Sequence, residues 1–317
     1  MRTTFIDTLT EIAERDPRVW LLCGDLGYSV LERFAERFPK RFVNVGVAEQ
    51  NMTGIAAGLA LSGKIVFTYS IANFPVMRCL EQIRNDVCYH NLNVKIVAVG
   101  GGYAYGSAGY SHHGVEDFAV LRVLPNMTVI APADPAETRL ATEAMAAHPG
   151  PCYLRLGKTN EPHIHIVPPA FEIGRAIPMR DGREITFVST GAMLQTAEHA
   201  ADALEKLGHS VQVLSMPTVQ PLDKAAIADA VQRTGRIITL EEHGIGGLGS
   251  AVAEVIASEH PGVRFLPLHS ARQAILTAGS QDRLRASQHL DVDSIVRAAV
   301  SLLDKPRISQ FEKWPQE

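Results

Sequence analysis

The stretch Phe42-Val43-Asn44-Val45-Gly46-Val47-Ala48-Glu49-Gln50-Asn51-Met52-Thr53 reads as a strand, a turn at glycine and the start of a helix. The helix runs on through residues 55–61, where Ala and Gly let it lie close to a sheet. A strand feeding a helix is the repeating unit of open α/β sheets, which bind ligands beyond the carboxyl ends of their strands. Glu49 is the one carboxylate of the stretch, flanked by Val45, Val47 and Ile55. Partial desolvation there is expected to raise its pKa toward neutrality, which makes it an acid/base candidate. The competing reading is structural, because an acid in a first helical turn also accepts from the free amides of the helix.

Outward from this unit, apolar runs alternate with segments of helical period, the pattern of a parallel sheet covered on both faces. Runs at 19–23, 42–45, 64–69, 94–99, 127–131 and 152–156 predict a mostly parallel six-strand unit over residues 1–160. Pro162, Pro168, Pro169 and Pro178 remove amide donors and favour extended backbone, so residues 161–180 are expected to be a linker. Runs at 185–189, 211–214, 237–240 and 265–268, with helices near 193–207, 224–231 and 248–258, predict a smaller α/β domain over 181–317. In the first of those helices Leu194, Ala197, Ala201, Leu204 and Leu207 recur at three- and four-residue steps, and Gly208 is placed to cap its end. The fold class is therefore α/β, with two doubly wound domains.

Composition narrows the function classes. With 30 Lys and Arg against 34 Asp and Glu, the formal charge is −4 and there is no basic block to track a phosphate backbone, so nucleic acid is not an expected partner. Apolar stretches break before the ~20 residues a membrane span needs, and Met1-Arg2-Thr3-Thr4 opens no signal peptide. Cys23, Cys79, Cys88 and Cys152 stand singly, as buried reduced thiols of a cytoplasmic protein do, and no metal site is indicated. His163 and His165, in the linker, are expected to be solvated.

Residues 46–52 resemble the glutamate motif of thiamine-diphosphate enzymes of the transketolase family, in the domain that holds the aminopyrimidine ring. The resemblance extends along nearly the whole chain. It includes Gly24-Asp25-Leu26, Glu81-Gln82-Ile83-Arg84-Asn85 and Leu124-Pro125-Asn126-Met127-Thr128-Val129-Ile130-Ala131-Pro132-Ala133-Asp134. Glu241-Glu242-His243-Gly244 and Gly246-Gly247-Leu248-Gly249-Ser250 are similar to the family's C-terminal domain, where such glycines aid close packing.

The resemblance implies that Glu49 hydrogen-bonds the pyrimidine nitrogen of thiamine diphosphate and favours the imino tautomer that removes the thiazolium proton. It implies that Phe74 stacks on the pyrimidine, although core packing is the alternative, and that Asp25 lies near the cofactor, although an N-cap is the alternative. His112 matches an active-site histidine, able to move protons near neutral pH, and His113 beside it is expected at the substrate. Ser29 and Arg155 match phosphate-contact positions, with a structural ion pair as the other reading of Arg155. Two departures bear on specificity. Gly100 stands where the family carries histidine, and Gly106-Ser107-Ala108-Gly109 replaces a Gly-Glu-Asp-Gly run, so an altered, phosphorylated or modified sugar is expected.

The family's second half carries Gly-Asp-Gly and a downstream Asn-Asn that hold Mg2+ on the diphosphate, and hard cations want such oxygen ligands. Gly24-Asp25-Leu26 with Asn51 imitates that motif only superficially. The implied assembly is therefore a C-terminal, β-type subunit paired with a separate N-terminal transketolase subunit in a heterotetramer, with Mg2+ held mainly by the partner. The activity implied is transfer of a two-carbon ketol unit from a ketose to an aldose. A deoxyxylulose-phosphate-synthase-like enzyme, the β subunit of a 2-oxo acid dehydrogenase and a non-catalytic scaffold are the alternatives.

Overall fold

The computed structural model describes residues 1–159 and 161–304. Part of the second domain's expected range, residues 305–317, lies outside the described residues. The strands are β1 (Val19–Cys23), β2 (Phe42–Asn44), β3 (Ile65–Ile71), β4 (Val94–Val99), β5 (Thr128–Ile130), β6 (Cys152–Leu156), β7 (Ile177–Arg180), β8 (Ile185–Ser189), β9 (Val211–Ser215), β10 (Thr218–Gln220), β11 (Arg236–Leu240) and β12 (Arg264–Leu268).

The first sheet has the order β10-β5-β6-β4-β3-β1-β2, parallel except for β10. Its six parallel strands are those expected. The seventh, β10, comes from the second half of the chain and pairs antiparallel with β5, with Thr218 opposite Ile130. Only Thr218, Val219 and Gln220 carry it, too short a run for alternation to show in the sequence. The second sheet runs β12-β11-β8-β9-β7, with β7 antiparallel at its edge. Strand β7 falls inside the range expected to be linker. Its Pro178 is tolerated because an edge strand leaves one side of the ladder unpaired.

Helices cover both faces of the first sheet. Phe5 and Leu9 of helix Arg2–Arg15 and Phe34 of helix Glu32–Arg37 pack on one face, against Leu21, Phe67 and Val97. Met52, Ala56 and Ala57 of helix Glu49–Leu61 pack on the other, against Leu22, Val66 and Ile96. Each such fully buried Leu, Ile, Val or Phe contributes roughly 1.5–3 kcal/mol relative to exposure. The chain leaves β1 toward β2 over one face and returns to β3 over the other. The strand order therefore reverses between β1 and β3, and an open crevice lies at their carboxyl ends. The expected amphipathic helix is Leu194–Lys206, and Gly208 follows it at φ +90°.

All four cysteines are free and buried. No helix among the described residues is long and apolar enough to cross a membrane.

Candidate active site

The crevice between β1 and β3 collects residues from three turns. After β1, Gly24 lies beside the β2 turn, where a Cβ would be in ordinary contact at 3.5 Å from the Gly46 carbonyl and 3.7 Å from Glu49 Cγ. Asn44, the last residue of β2, clamps the two turns together. Its Oδ1 accepts from the amides of Asp25 and Gly46, each at 3.0 Å, and its Nδ2 donates to Asp25 Oδ1 at 3.0 Å. Asp25 is exposed at φ +57° and also accepts from the Tyr28 hydroxyl at 3.3 Å. The N-cap alternative for Asp25 fails, because the next helix starts only at Glu32. Ser29, exposed at φ +61°, donates its amide to Glu32 Oε1 at 2.7 Å.

Glu49 opens helix Glu49–Leu61 and is 4 % exposed. No amide cap is formed by its side chain; its Oε2 instead accepts from Arg78 Nη1 at 3.1 Å. The Arg78 guanidinium lies over the Phe74 ring, 4.4 Å from its centroid. Phe74, half-buried at the start of the short helix after β3, faces His112 edge-on at 5.4 Å between centroids. His112 Nδ1 is 3.0 Å from the Ser111 hydroxyl, and its ring is 6.2 Å from that of Tyr105. Lys158 Nζ stands over the Tyr105 ring at 4.7 Å. Glu49, Phe74 and His112 are thus brought together from a helix start, a strand end and a distant loop. Residues Ile83–Cys88 after the Phe74 turn form a π-helical segment, a local widening often found at functional sites.

His113 and Arg155, both expected at the substrate, are buried side chains. His113 is 1 % exposed and packs edge-on against Tyr103 at 5.4 Å. It lines a cavity of about 380 Å³ between the two halves of the molecule, and burial holds its imidazole below the ordinary histidine value. Arg155 is 8 % exposed, and its Nη2 donates to the carbonyls of Gly114 and Glu242, each at 2.7 Å. Its Nε is 3.5 Å from Asp117, and its guanidinium covers Phe118 at 4.4 Å. These contacts of Nη2 and Nε accord with the structural reading of Arg155.

Around Arg155 the second half of the chain grips the loop that carries His112. Gly244 donates its amide to the Val115 carbonyl at 2.7 Å, and Ala119 donates to His243 Nε2 at 3.3 Å. His243 Nε2 is therefore the acceptor and Nδ1–H the donor to Gly244 O at 2.8 Å, in keeping with burial lowering its pKa. Glu241 caps helix Leu248–Glu259 by accepting from the amides of Leu248 and Gly249 at 2.7 Å. A Cβ at Gly247 would lie 2.1 Å from Glu241 Oε2, which gives that glycine its packing role.

The linker histidines divide. His163 is exposed, but His165 is a correction: its side chain is 6 % exposed and its Nε2 donates to Glu137 Oε1 at 2.9 Å. Arg78, Asn44, Tyr105 and Lys158 were not singled out from the sequence. The four-residue spacing of Phe74 and Arg78, which puts both on one helix face, is the signal that would have found Arg78.

Residues 1–163 match the transketolase pyrimidine-binding domain and residues 174–295 the transketolase C-terminal domain. The chain is 37% identical over 307 residues to a subunit of the apulose-4-phosphate transketolase of Phocaeicola vulgatus, covering 96% of this chain and 97% of that one. It is 37% identical over 309 residues to the 6-deoxy-6-sulfo-D-fructose transketolase subunit SqwH of a Clostridium species, covering 96% and 95%. A solved structure described as a split gene transketolase, inactive beta4 tetramer, superposes with a TM-score of 0.89 at 38% identity, covering 96% of this chain and 98% of that one. With its two domains, its switch-point glutamate and relatives of equal length, the chain belongs to the transketolase family.

Proposed function

We propose that the chain is the C-terminal, β-type subunit of a split, thiamine-diphosphate-dependent transketolase of the cytoplasm. In this reading it works with a separate N-terminal subunit in a heterotetramer and transfers a two-carbon ketol unit from a ketose to an aldose. The observation that carries the reading is the convergence of Glu49, Phe74 and His112 at the switch point: a buried carboxylate, an aromatic face and an imidazole.

These residues fit the aminopyrimidine end of the cofactor. Glu49 would hold a proton against the ring nitrogen, Phe74 would cover the ring, and His112 would move protons at the substrate oxygens. When bound, the cofactor supplies the electron sink for carbon–carbon cleavage. The diphosphate end is different. Asp25 is tied to Asn44 and Tyr28, and Asn51 lies on the exposed side of its helix. Magnesium wants a near-octahedral set of oxygens, which this reading assigns to the N-terminal subunit.

A partner chain also accounts for the outer face of helix Glu49–Leu61. Gly54 and Gly58 are exposed there, and a Cβ at either would meet nothing within 4 Å. An interior helical glycine costs about 1 kcal/mol relative to alanine, and close approach of a partner offsets that cost. For the substrate, Lys158 over the Tyr105 ring, which itself flanks His112, offers a cation to an anionic sugar terminus. The two relatives named above act, by their names, on a phosphorylated and a sulfonated sugar.

The test is ketol transfer by the chain co-expressed with an N-terminal subunit. Glu49→Gln keeps the shape and removes the proton-holding group, so turnover should fall by about 10²–10⁴-fold with folding intact. Full activity in that variant contradicts the mechanism.

A further inference from the structure

Arg78 is a charged group of the crevice that the proposed function leaves without a task. Its Nη1 donates to Glu49 Oε2 at 3.1 Å, and the same guanidinium lies 4.4 Å from the Phe74 ring centroid. A planar, hydrogen-bonding cation thus makes both contacts that an aminopyrimidine would make: a bond to the buried carboxylate and a stack on the aromatic face. Two flat groups cannot share that space. The two partners differ in freedom, since the Arg78 side chain is 51% exposed and the Glu49 side chain 4%. Glu49 is fixed by the helix it opens, whereas Arg78 reaches it from solvent on a flexible stem that can swing away.

We infer that Arg78 occupies the aminopyrimidine seat in the unloaded chain and leaves it when the cofactor enters, so that binding is an exchange against the Glu49–Arg78 ion pair. The inference rests on the proposed function and adds to it a residue that competes for the seat. In the unloaded state Arg78 compensates a carboxylate that burial would otherwise leave unpaired. On loading, the guanidinium returns to water, and the ring takes over both contacts.

Two measurements test it. In the first, thiamine diphosphate with Mg2+ is titrated calorimetrically into the chain paired with its N-terminal subunit, as wild type and as Arg78→Met, which keeps the stem and removes the guanidinium. Loss of the competitor should tighten binding roughly fivefold, the scale of one partly exposed ion pair. Equal or weaker binding by the variant overturns the exchange while leaving the cofactor reading intact. Absence of binding to both forms removes the cofactor reading, and this inference with it. In the second, urea unfolding of the chain alone is compared for Glu49→Gln, Arg78→Met and the double variant. The pair requires the double variant to lose less stability than the two single losses combined. Strict additivity shows that the pair does not form in the unloaded chain and overturns the inference by itself.

Discussion

The ring of Tyr105 lies against the backbone of Gly100: a Cβ at position 100 would stand 2.0 Å from Tyr105 Cδ2 and 2.1 Å from Cε2. Gly100 sits at φ +81°, just beyond β4, so glycine is required twice over, by conformation and by contact. The sugar-gripping histidine that the family resemblance expects here has no room while Tyr105 holds that place. The same ring carries Lys158 and flanks His112.

Gly100→Ala should therefore destabilise the chain by about 2–4 kcal/mol, from left-handed strain together with overpacking. Urea unfolding checks it. In a Tyr105→Ala background the packing part should vanish and the strain part remain. An equal loss in both backgrounds would show that Tyr105 does not press on Gly100.

Arg155 joins the two halves of the molecule through the Gly114 and Glu242 carbonyls. Arg155→Met leaves Asp117 buried and facing only neutral partners or His243, and should cost about 3–5 kcal/mol of stability. A phosphate-contact residue would behave otherwise, raising KM for a phosphorylated sugar while leaving the unfolding midpoint in place. Thermal unfolding alongside KM separates the two.

His165 gives a pH dependence with a definite sign. Burial opposes its charge, but the hydrogen bond to Glu137 and the charges of Glu137 and Asp134 outweigh burial and raise its pKa above the ordinary 6.5. Its contribution is then fully present below the unfolded-state pKa and fades as pH rises through the higher folded-state value. The stability difference between wild type and His165→Gln should shrink as the pH is raised from about 6 to about 9. A difference that grows over that range contradicts the ion pair.

The sheet order was legible where strands are continuous apolar runs. Val19–Cys23, Val94–Val99, Cys152–Leu156 and Ile185–Ser189 are bounded as the sequence predicts. Strands β7 and β10 were not, because each is short and lies at a sheet edge, where packing rather than pattern decides. Glu49, Phe74 and His112 could be named, each lying in a segment that resembles the family's; in the structure Phe74 faces His112 and Arg78 bridges Phe74 to Glu49. The contacts of Arg155 and the burial of His165 were not legible because their partners Gly114, Glu242 and Glu137 are distant in sequence and leave no local trace. Arg78 went unnoticed for the opposite reason: at 51% side-chain exposure it looks like an ordinary surface arginine until Glu49 is seen beneath it.

In the proposed function the cofactor site is divided between two chains. Calorimetric titration of thiamine diphosphate and magnesium into this chain alone, and into the chain co-expressed with an N-terminal subunit, tests that division directly. Binding to the pair and none to the lone chain is the expected result. Tight binding to the lone chain would contradict the divided site, and absence of binding to either would contradict the cofactor reading of Glu49, Phe74 and His112.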